Sequence, residues 1–399
     1  MLRQLGGGSL GVGRAVKRVL VCGGGYAGLA AARYLGRHGS DVCNCVLIDR
    51  RSASEALPVL PEIPARNVRP AGLRCDLARA ARHGGYGFVC DEVVAIDPDT
   101  RTVIGRGGKH AYDALILATG AVTNYYGNED AIAHAYPFRS TAHAVELTRA
   151  LDRDPARPLV VCGGGYTGVE LATAARRRAR ACGIERRIEL VDLAPEPCAT
   201  LPPVIRRYIA AHIDRLGIAF RGETTVDAAD GRGLALTDGT RYPDALLAWS
   251  AGVHPGACVD GLEVERGPGR RLRVDAHLRL GRPEVFAAGD LAAFTHAGSE
   301  LRMSVQFSRQ EGRYAAINAL AHLRGGEPTP FCPRDPGYLV PMAHNRACGD
   351  VLGRRIFGRV PMGLHFAMAV AFDYGGDNRM MLASDLLGSW AAWGHPGRI

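Results

Sequence analysis

The strongest constraint on this chain is a pattern that occurs twice. A short apolar, strand-like run leads directly into G-x-G-x-x-G and then into a stretch of helical character. The first copy is Lys17 to Cys22 with Gly23, Gly25 and Gly28, and the second is Pro158 to Cys162 with Gly163, Gly165 and Gly168. In such a motif the first glycine permits the tight turn, the second lets a pyrophosphate approach the backbone, and the third lets helix and strand pack closely. Unpaired N–H groups at the helix N-terminus supply partial positive charge. One match would mean little in a chain with 51 glycines, but both copies sit between strand and helix. Each therefore reads as a dinucleotide site.

Both copies run on to a second strand, Asn44 to Asp49 and Arg187 to Asp192. Asp49 lies 21 residues after Gly28, and Asp192 lies 24 after Gly168. That is close to the roughly 20-residue spacing at which a carboxylate accepts hydrogen bonds from a ribose hydroxyl. A carboxylate at Asp192 would repel the extra phosphate of NADPH, so NADH is the expected ligand of the second site. Arg186 and Arg187 begin that strand and are poorly placed to receive such a phosphate.

Small-residue turns mark how the two units connect. Leu117 to Gly120 (LATG, with Thr119) ends a strand of the first unit, Trp249 to Gly252 (WSAG) closes the second, and Val285 to Asp290 (VFAAGD) follows. The expected fold is α/β, with two Rossmann-like dinucleotide-binding domains, the second inserted in the first, and a small C-terminal region. The expected boundaries are a flexible leader at 1–16, a first domain at 17–125 and 253–326, an inserted domain at 126–252, and a C-terminal region at 327–399.

With 399 residues and 47% apolar composition the chain can bury a large core without disulfides. Its 49 basic and 40 acidic residues give a net charge of +9. The basic residues are scattered arginines with no block of the kind that marks a nucleic-acid arm. The charge suits anionic cofactors and an anionic lipid surface, or reflects only a high-GC genome's preference for arginine. Eleven cysteines, none in a C-x-x-C or C-x-x-x-x-C spacing, point to a reducing cytoplasm and away from both a redox dithiol and a zinc site; no metal is expected. No apolar run reaches the roughly 18 residues of a membrane span.

The ordered set GGGYAG, LATG, GGGYTGVE, WSAG and VFAAGD resembles the flavoproteins with two dinucleotide-binding domains, over residues 17 to about 320. The resemblance implies FAD in the first site and NAD(P)H in the second. It also implies that Asp290 meets the ribityl or phosphate portion of the flavin, that Gly289 allows its approach, and that Val93 offers backbone contact to the adenine. Thr119, Gly120 and Gly252 belong to the same cofactor turns.

Within that group, Met303 to Asn318 (MSVQFSRQEGRYAAIN) resembles the A-Q-x-A-x-Q-x-G segment of type II NADH dehydrogenases, the single-subunit NADH:quinone oxidoreductases. Gln306, Gln310 and Gly312 match, while Val305 and Ser308 replace the two alanines. The resemblance implies that Gln306 and Gln310 line a quinone pocket beside the flavin ring. It also implies that Glu170 stands between nicotinamide and flavin, and that Pro58 and Leu60 pack behind the ring.

Residues 335–358 resemble the hairpin that opens the family's C-terminal region. There, Pro361 to Phe372 and Arg379 to Trp393 would form amphipathic segments for a membrane surface, a homodimer interface or a lid. The expected activity is hydride transfer from NADH to FAD, then two electrons to a quinone. The alternatives are a soluble reductase with another small acceptor, and a flavoprotein like apoptosis-inducing factor that works as an NADH-responsive binding switch. The expected location is the cytoplasm or the cytoplasmic face of the membrane.

Overall fold

The computed structural model describes residues 16–392. The expected leader therefore lies, except for Val16, outside the described residues, as does Trp393.

The chain opens with β1 (Lys17–Cys22), α1 (Tyr26–His38), β2 (Cys43–Asp49), β3 (Gly87–Cys90) and β4 (Ala114–Leu117). It continues with β5 (Tyr136–Pro137), β6 (Leu159–Cys162), α2 (Tyr166–Ala181), β7 (Ile188–Val191), β8 (Ile218–Arg221) and β9 (Leu246–Trp249). After β10 (Val285–Ala287) and α3 (Val305–Arg324) come β11 (Gly337–Met342), β12 (Arg346–Val351), β13 (Arg354–Gly358), α4 (Arg359–Phe372) and α5 (Gly376–Ala392).

Two parallel sheets result, ordered β10-β4-β1-β2-β3 and β5-β9-β6-β7-β8. Both place the strand before the glycine loop at the centre, which is why Val19 to Cys22 and Leu159 to Cys162 are buried on both faces. In the first sheet β10 pairs with β4 in parallel, yet the whole second sheet lies between them in sequence. The second nucleotide-binding unit is thus inserted in the first.

The expected strand region between residues 91 and 106 forms an antiparallel three-stranded sheet, Val93–Asp97, Thr102–Gly105 and Lys109–Ala111. The register runs through Val93↔Gly105.

Glycine packs α3 against α1. A Cβ at Gly312 would lie 2.0 Å from the carbonyl oxygen of Ala27, so any side chain would force the helices apart. The final region forms the antiparallel sheet β11-β12-β13 covered by α4, while α5 packs against α4 and the segments Glu62–Arg66 and Pro70–Leu73. Val340, Met342, Ala347, Cys348, Met362 and Phe366 share one core with Val169, Leu171 and Ala172 of the inserted unit. Leu382 and Leu386 of α5 join that core, and Met381 lies against Gly72 of the first unit.

Candidate functional site

A cavity of about 680 Å³ opens where the C-terminal ends of the two parallel sheets face each other. Ligands of open α/β folds bind at these ends, because the strand-to-helix turns there point backbone N–H groups outward. The first sheet contributes Gly23 and Gly25 after β1, Asp49 at the end of β2, Thr119 and Gly120 after β4, and Gly289 and Asp290 after β10. The inserted sheet contributes Tyr166, Thr167 and Glu170 from α2, and Trp249, Ser250 and Gly252 at the end of β9. Both halves wall the same space.

The two glycine loops are nearly superposable in their local chemistry. Gly23 and Gly163 have φ of +108° and +110°, and a Cβ at Gly28 or Gly168 would lie 1.7 Å from the carbonyl oxygen of Gly23 or Gly163. Glycine is required at these four positions by the protein's own backbone. Gly25 and Gly165 differ, since a Cβ there meets nothing within 4 Å. Each stands as the residue before the first turn of α1 or α2, with no side-chain cap on the helix N–H groups. The open space beside uncapped N–H groups fits a pyrophosphate in both places.

The two aspartates repeat one another as well. Asp49 accepts from the Gly24 N–H at 2.6 Å and the Arg51 N–H at 2.7 Å. Asp192 accepts from the Gly164 N–H at 2.5 Å and the Ala194 N–H at 2.7 Å. The backbone thus fixes each carboxylate beside its glycine loop, with lone pairs left for a ribose hydroxyl.

Four further carboxylates sit where charge is expensive. Glu170 lines the cavity and also a small void shared with Glu62, and its pKa lies well above the ordinary range, first through burial and second through the neighbouring Glu62. Glu62 is itself buried and meets Arg66 Nε at 2.5 Å. Burial also raises Asp290, opposed by Arg139, whose Nη2 stands 3.9 Å away. Glu311 is pushed up to about 8 by burial, although it accepts the Gly289 N–H at 2.6 Å. Burial thus favours the neutral acid at Glu311, behind the wall at Gly289.

Several expected groups stand outside this cavity's wall, among them Gly28 and the second loop's Gly163, Gly165, Gly168 and Asp192. Val93 is outside the cavity wall, in the antiparallel sheet. Gln306 and Gln310 face away from the cavity, whose wall is formed on this helix by Ser304, Val305 and Ser308. With 3.6 residues per turn, positions 304, 305 and 308 share one face of α3 while 306 and 310 share another. The Gln306 Nε2 donates to the Gly337 carbonyl at 2.9 Å. Gln310 donates to the Arg334 carbonyl and accepts from the Arg334 N–H, each at 2.9 Å. Both amides tie the segment entering β11 to α3.

Sequence reasoning missed Arg51, Tyr126, Phe138 and Arg139 on the wall, and Glu311 behind it. Phe138 and Arg139 follow a two-residue strand, too short to leave a periodic signal. Arg51 alone had a local cue, two residues beyond Asp49. Among the described residues no cysteine lines the cavity.

Comparison with known proteins agrees with this geometry. The pyridine nucleotide-disulphide oxidoreductase family matches residues 17–312. A NADH dehydrogenase-like protein of Mycobacterium tuberculosis is 31% identical over 329 residues, covering 77% of this chain and 80% of the relative. The type II NADH:quinone oxidoreductase of Staphylococcus aureus is 26% identical over 371 residues, covering 86% and 92%. Among solved structures, NDH2 of Plasmodium falciparum in complex with NADH superposes with a TM-score of 0.80 at 14% identity, covering 96% of this chain and 99% of the other. The doubled glycine loop, the shared cavity and these likenesses together identify the chain as a member of the pyridine nucleotide-disulphide oxidoreductase family, an FAD-containing, NADH-dependent oxidoreductase similar to the type II NADH dehydrogenases.

Proposed function

We propose that the protein oxidises NADH and reduces a quinone. The observation that carries this reading is the cavity walled jointly by the first glycine loop and Asp49 and by Tyr166, Glu170 and Trp249 of the inserted unit, where a flavin ring and a nicotinamide ring would meet. When bound, FAD supplies the redox chemistry, accepting a hydride from the nicotinamide and returning two electrons to the second substrate.

The chain's own part is binding, orientation and proton handling. The N-termini of α1 and α2 hold the two pyrophosphates, and Asp49 and Asp192 hold the two riboses. Tyr166, Thr167 and Trp249 shape the nicotinamide side of the cavity. Leu57, Pro58, Leu60, Pro61, Met303 and Val305 supply an apolar wall suited to an uncharged ring. The Staphylococcus aureus relative is named for a quinone acceptor, which favours that class of ring.

Reduction of a quinone by NADH takes up one proton from water for each quinol formed. Glu170, whose pKa is raised by burial and by Glu62, is the acid on the cavity wall placed to pass on that proton. Gln306 and Gln310 act at one remove, by fixing the entry to β11 against α3. Val360, Leu364 and Ala367 on α4, with Met380 and Leu387 on α5, turn apolar surface outward and would rest on a membrane where quinone is dissolved.

Stopped-flow absorbance tests the proposal. The yellow protein should bleach rapidly with NADH and recover its colour rapidly on mixing with a soluble ubiquinone or menaquinone analogue. Bleaching followed by slow, quinone-insensitive recovery would leave NADH oxidation standing and sink the quinone acceptor.

A further inference from the structure

Gln306 and Gln310 border a second cleft, of about 750 Å³, on the far side of α1 and α3 from the flavin cavity. Its wall is basic. Arg33 and Arg37 of α1, Arg309 and Arg313 of α3, and Arg379 of α5 all line it, and no acidic residue does. On each of the first two helices the arginines are four residues apart, so like charges sit on adjacent turns where they repel. The two helices are pressed together at Gly312 and Ala27, which brings the two pairs to one concave surface.

Ordinarily such a cluster is neutralised by carboxylates, as Arg302 is by Asp335 and Arg178 by Asp152 in this protein. Among the described residues Arg33, Arg37, Arg309 and Arg313 have no such ion pair. Aromatic rings hold three of them instead: Arg33 lies 5.1 Å from the Tyr374 ring centre, Arg309 4.6 Å from Phe372, and Arg313 5.7 Å from Tyr34. Ring faces orient a guanidinium without cancelling its charge. Arg379 is anchored by the carbonyls of Asp373 and Ala371 at 2.8 and 3.2 Å. Asp373 itself is buried, accepts the Tyr374 N–H at 2.7 Å, and does not line the cleft.

We infer that the cleft is a binding site for a multiply phosphorylated anion. Planar guanidinium groups match the oxygens of a phosphate in pairs, and four uncompensated ones around a concave space favour a compact polyanion over a single charge. Such a ligand would bridge α1, α3 and α5, and so fasten the C-terminal helices to the flavin-binding unit. It would also be felt at the flavin cavity. Tyr26, on that cavity's wall, has its ring centre 6.1 Å from that of Tyr374, and Ser308 lines the cavity one residue before Arg309 lines the cleft.

The probe is sodium tripolyphosphate, titrated calorimetrically into FAD-loaded enzyme saturated with NAD⁺ so that the nucleotide phosphate sites are filled. Binding is expected to weaken at least fivefold in Arg37→Gln and at least thirtyfold in Arg37→Gln/Arg313→Gln, and to fall steeply with added salt. Both positions are exposed and without an ion pair among the described residues, so the flavin spectrum and melting temperature should stay close to wild type.

A second arm measures sedimentation with phosphatidylcholine vesicles containing one tenth phosphatidylinositol bisphosphate, a headgroup that carries several phosphates. Vesicle binding that tripolyphosphate displaces and the double variant loses would assign the phosphate to a lipid headgroup. Tripolyphosphate binding without vesicle binding would assign it to a soluble ligand. Absence of both, or equal affinity in wild type and double variant, would overturn the inference.

Discussion

Glu311 is the residue whose protonation most clearly links structure to stability. Its pKa in the folded protein is about 8 against an ordinary 4.5, because burial outweighs the hydrogen bond from Gly289. Below pH 4.5 folded and unfolded chains both hold the proton and nothing is lost. Between 4.5 and about 8 the unfolded chain ionises while the folded one does not, so stability falls as pH rises through that window. The full penalty above it is up to about 5 kcal/mol. Glu311→Gln should therefore flatten the decline of melting temperature between pH 5 and 9, and a decline as steep as that of wild type would remove Glu311 as its source.

Asp192 carries a prediction of a different kind. Replacing it with glutamine removes the negative charge beside the second ribose site. The NADH kcat/KM should fall by roughly tenfold to a hundredfold, the worth of one charge-assisted hydrogen bond, while the NADPH value should fall less or rise. Steady-state kinetics with both cofactors decides it, and an unchanged preference would show that Asp192 does not choose between them.

The strand-loop-helix element separates two duties that the motif merges in sequence. Gly28 is required by its own loop, whose Gly23 carbonyl leaves no room for a methyl group, whereas Gly25 faces only open space. Gly28→Ala should destabilise the fold by about 3 kcal/mol. Gly25→Val should leave the melting temperature of the apoprotein within two or three degrees of wild type while abolishing the flavin absorbance of the purified protein. Equal losses of stability in the two variants would mean that Gly25 also serves the fold.

The helix α3 makes the companion point. Its glutamines were legible as a motif, but which face of the helix meets the cavity was not. That depends on where Gly312 seats against Ala27, a contact between elements nearly 290 residues apart in sequence.

Across the whole molecule, the C-terminal region closes the structure. Its sheet shares a core with the inserted unit, and α5 rests on the first unit through Met381 at Gly72 and through Asp385, which meets Arg69 at 2.8 Å. Burial divides the apolar residues of α5 into two sets. Leu382 and Leu386 are 0% and 3% exposed, whereas Met380 and Leu387 are 69% and 70% exposed. Among the described residues no helix is long and apolar enough to cross a membrane. Met380→Glu/Leu387→Glu should thus abolish sedimentation with anionic vesicles while leaving NADH oxidation with a water-soluble acceptor within twofold of wild type. Vesicle binding that survives the double change would remove this face as the membrane contact.

The sequence by itself determined the architecture around the nucleotides. Apolar strands, glycines at three fixed offsets and an acid at the second strand's end are local signals, because each follows from backbone geometry within one β-α-β unit. It also determined that the second unit interrupts the first, through the order of the closing turns. Only the tertiary structure decided which residues share the cavity. Arg139 and Tyr126 reach it by the facing of two sheets, Gln306 and Gln310 leave it by the rotation of one helix, and four arginines converge because α1 and α3 pack at a glycine. Such juxtapositions depend on contacts between distant segments, and a side chain's neighbours across a packed interface leave no trace in the spacing of its own strand or helix.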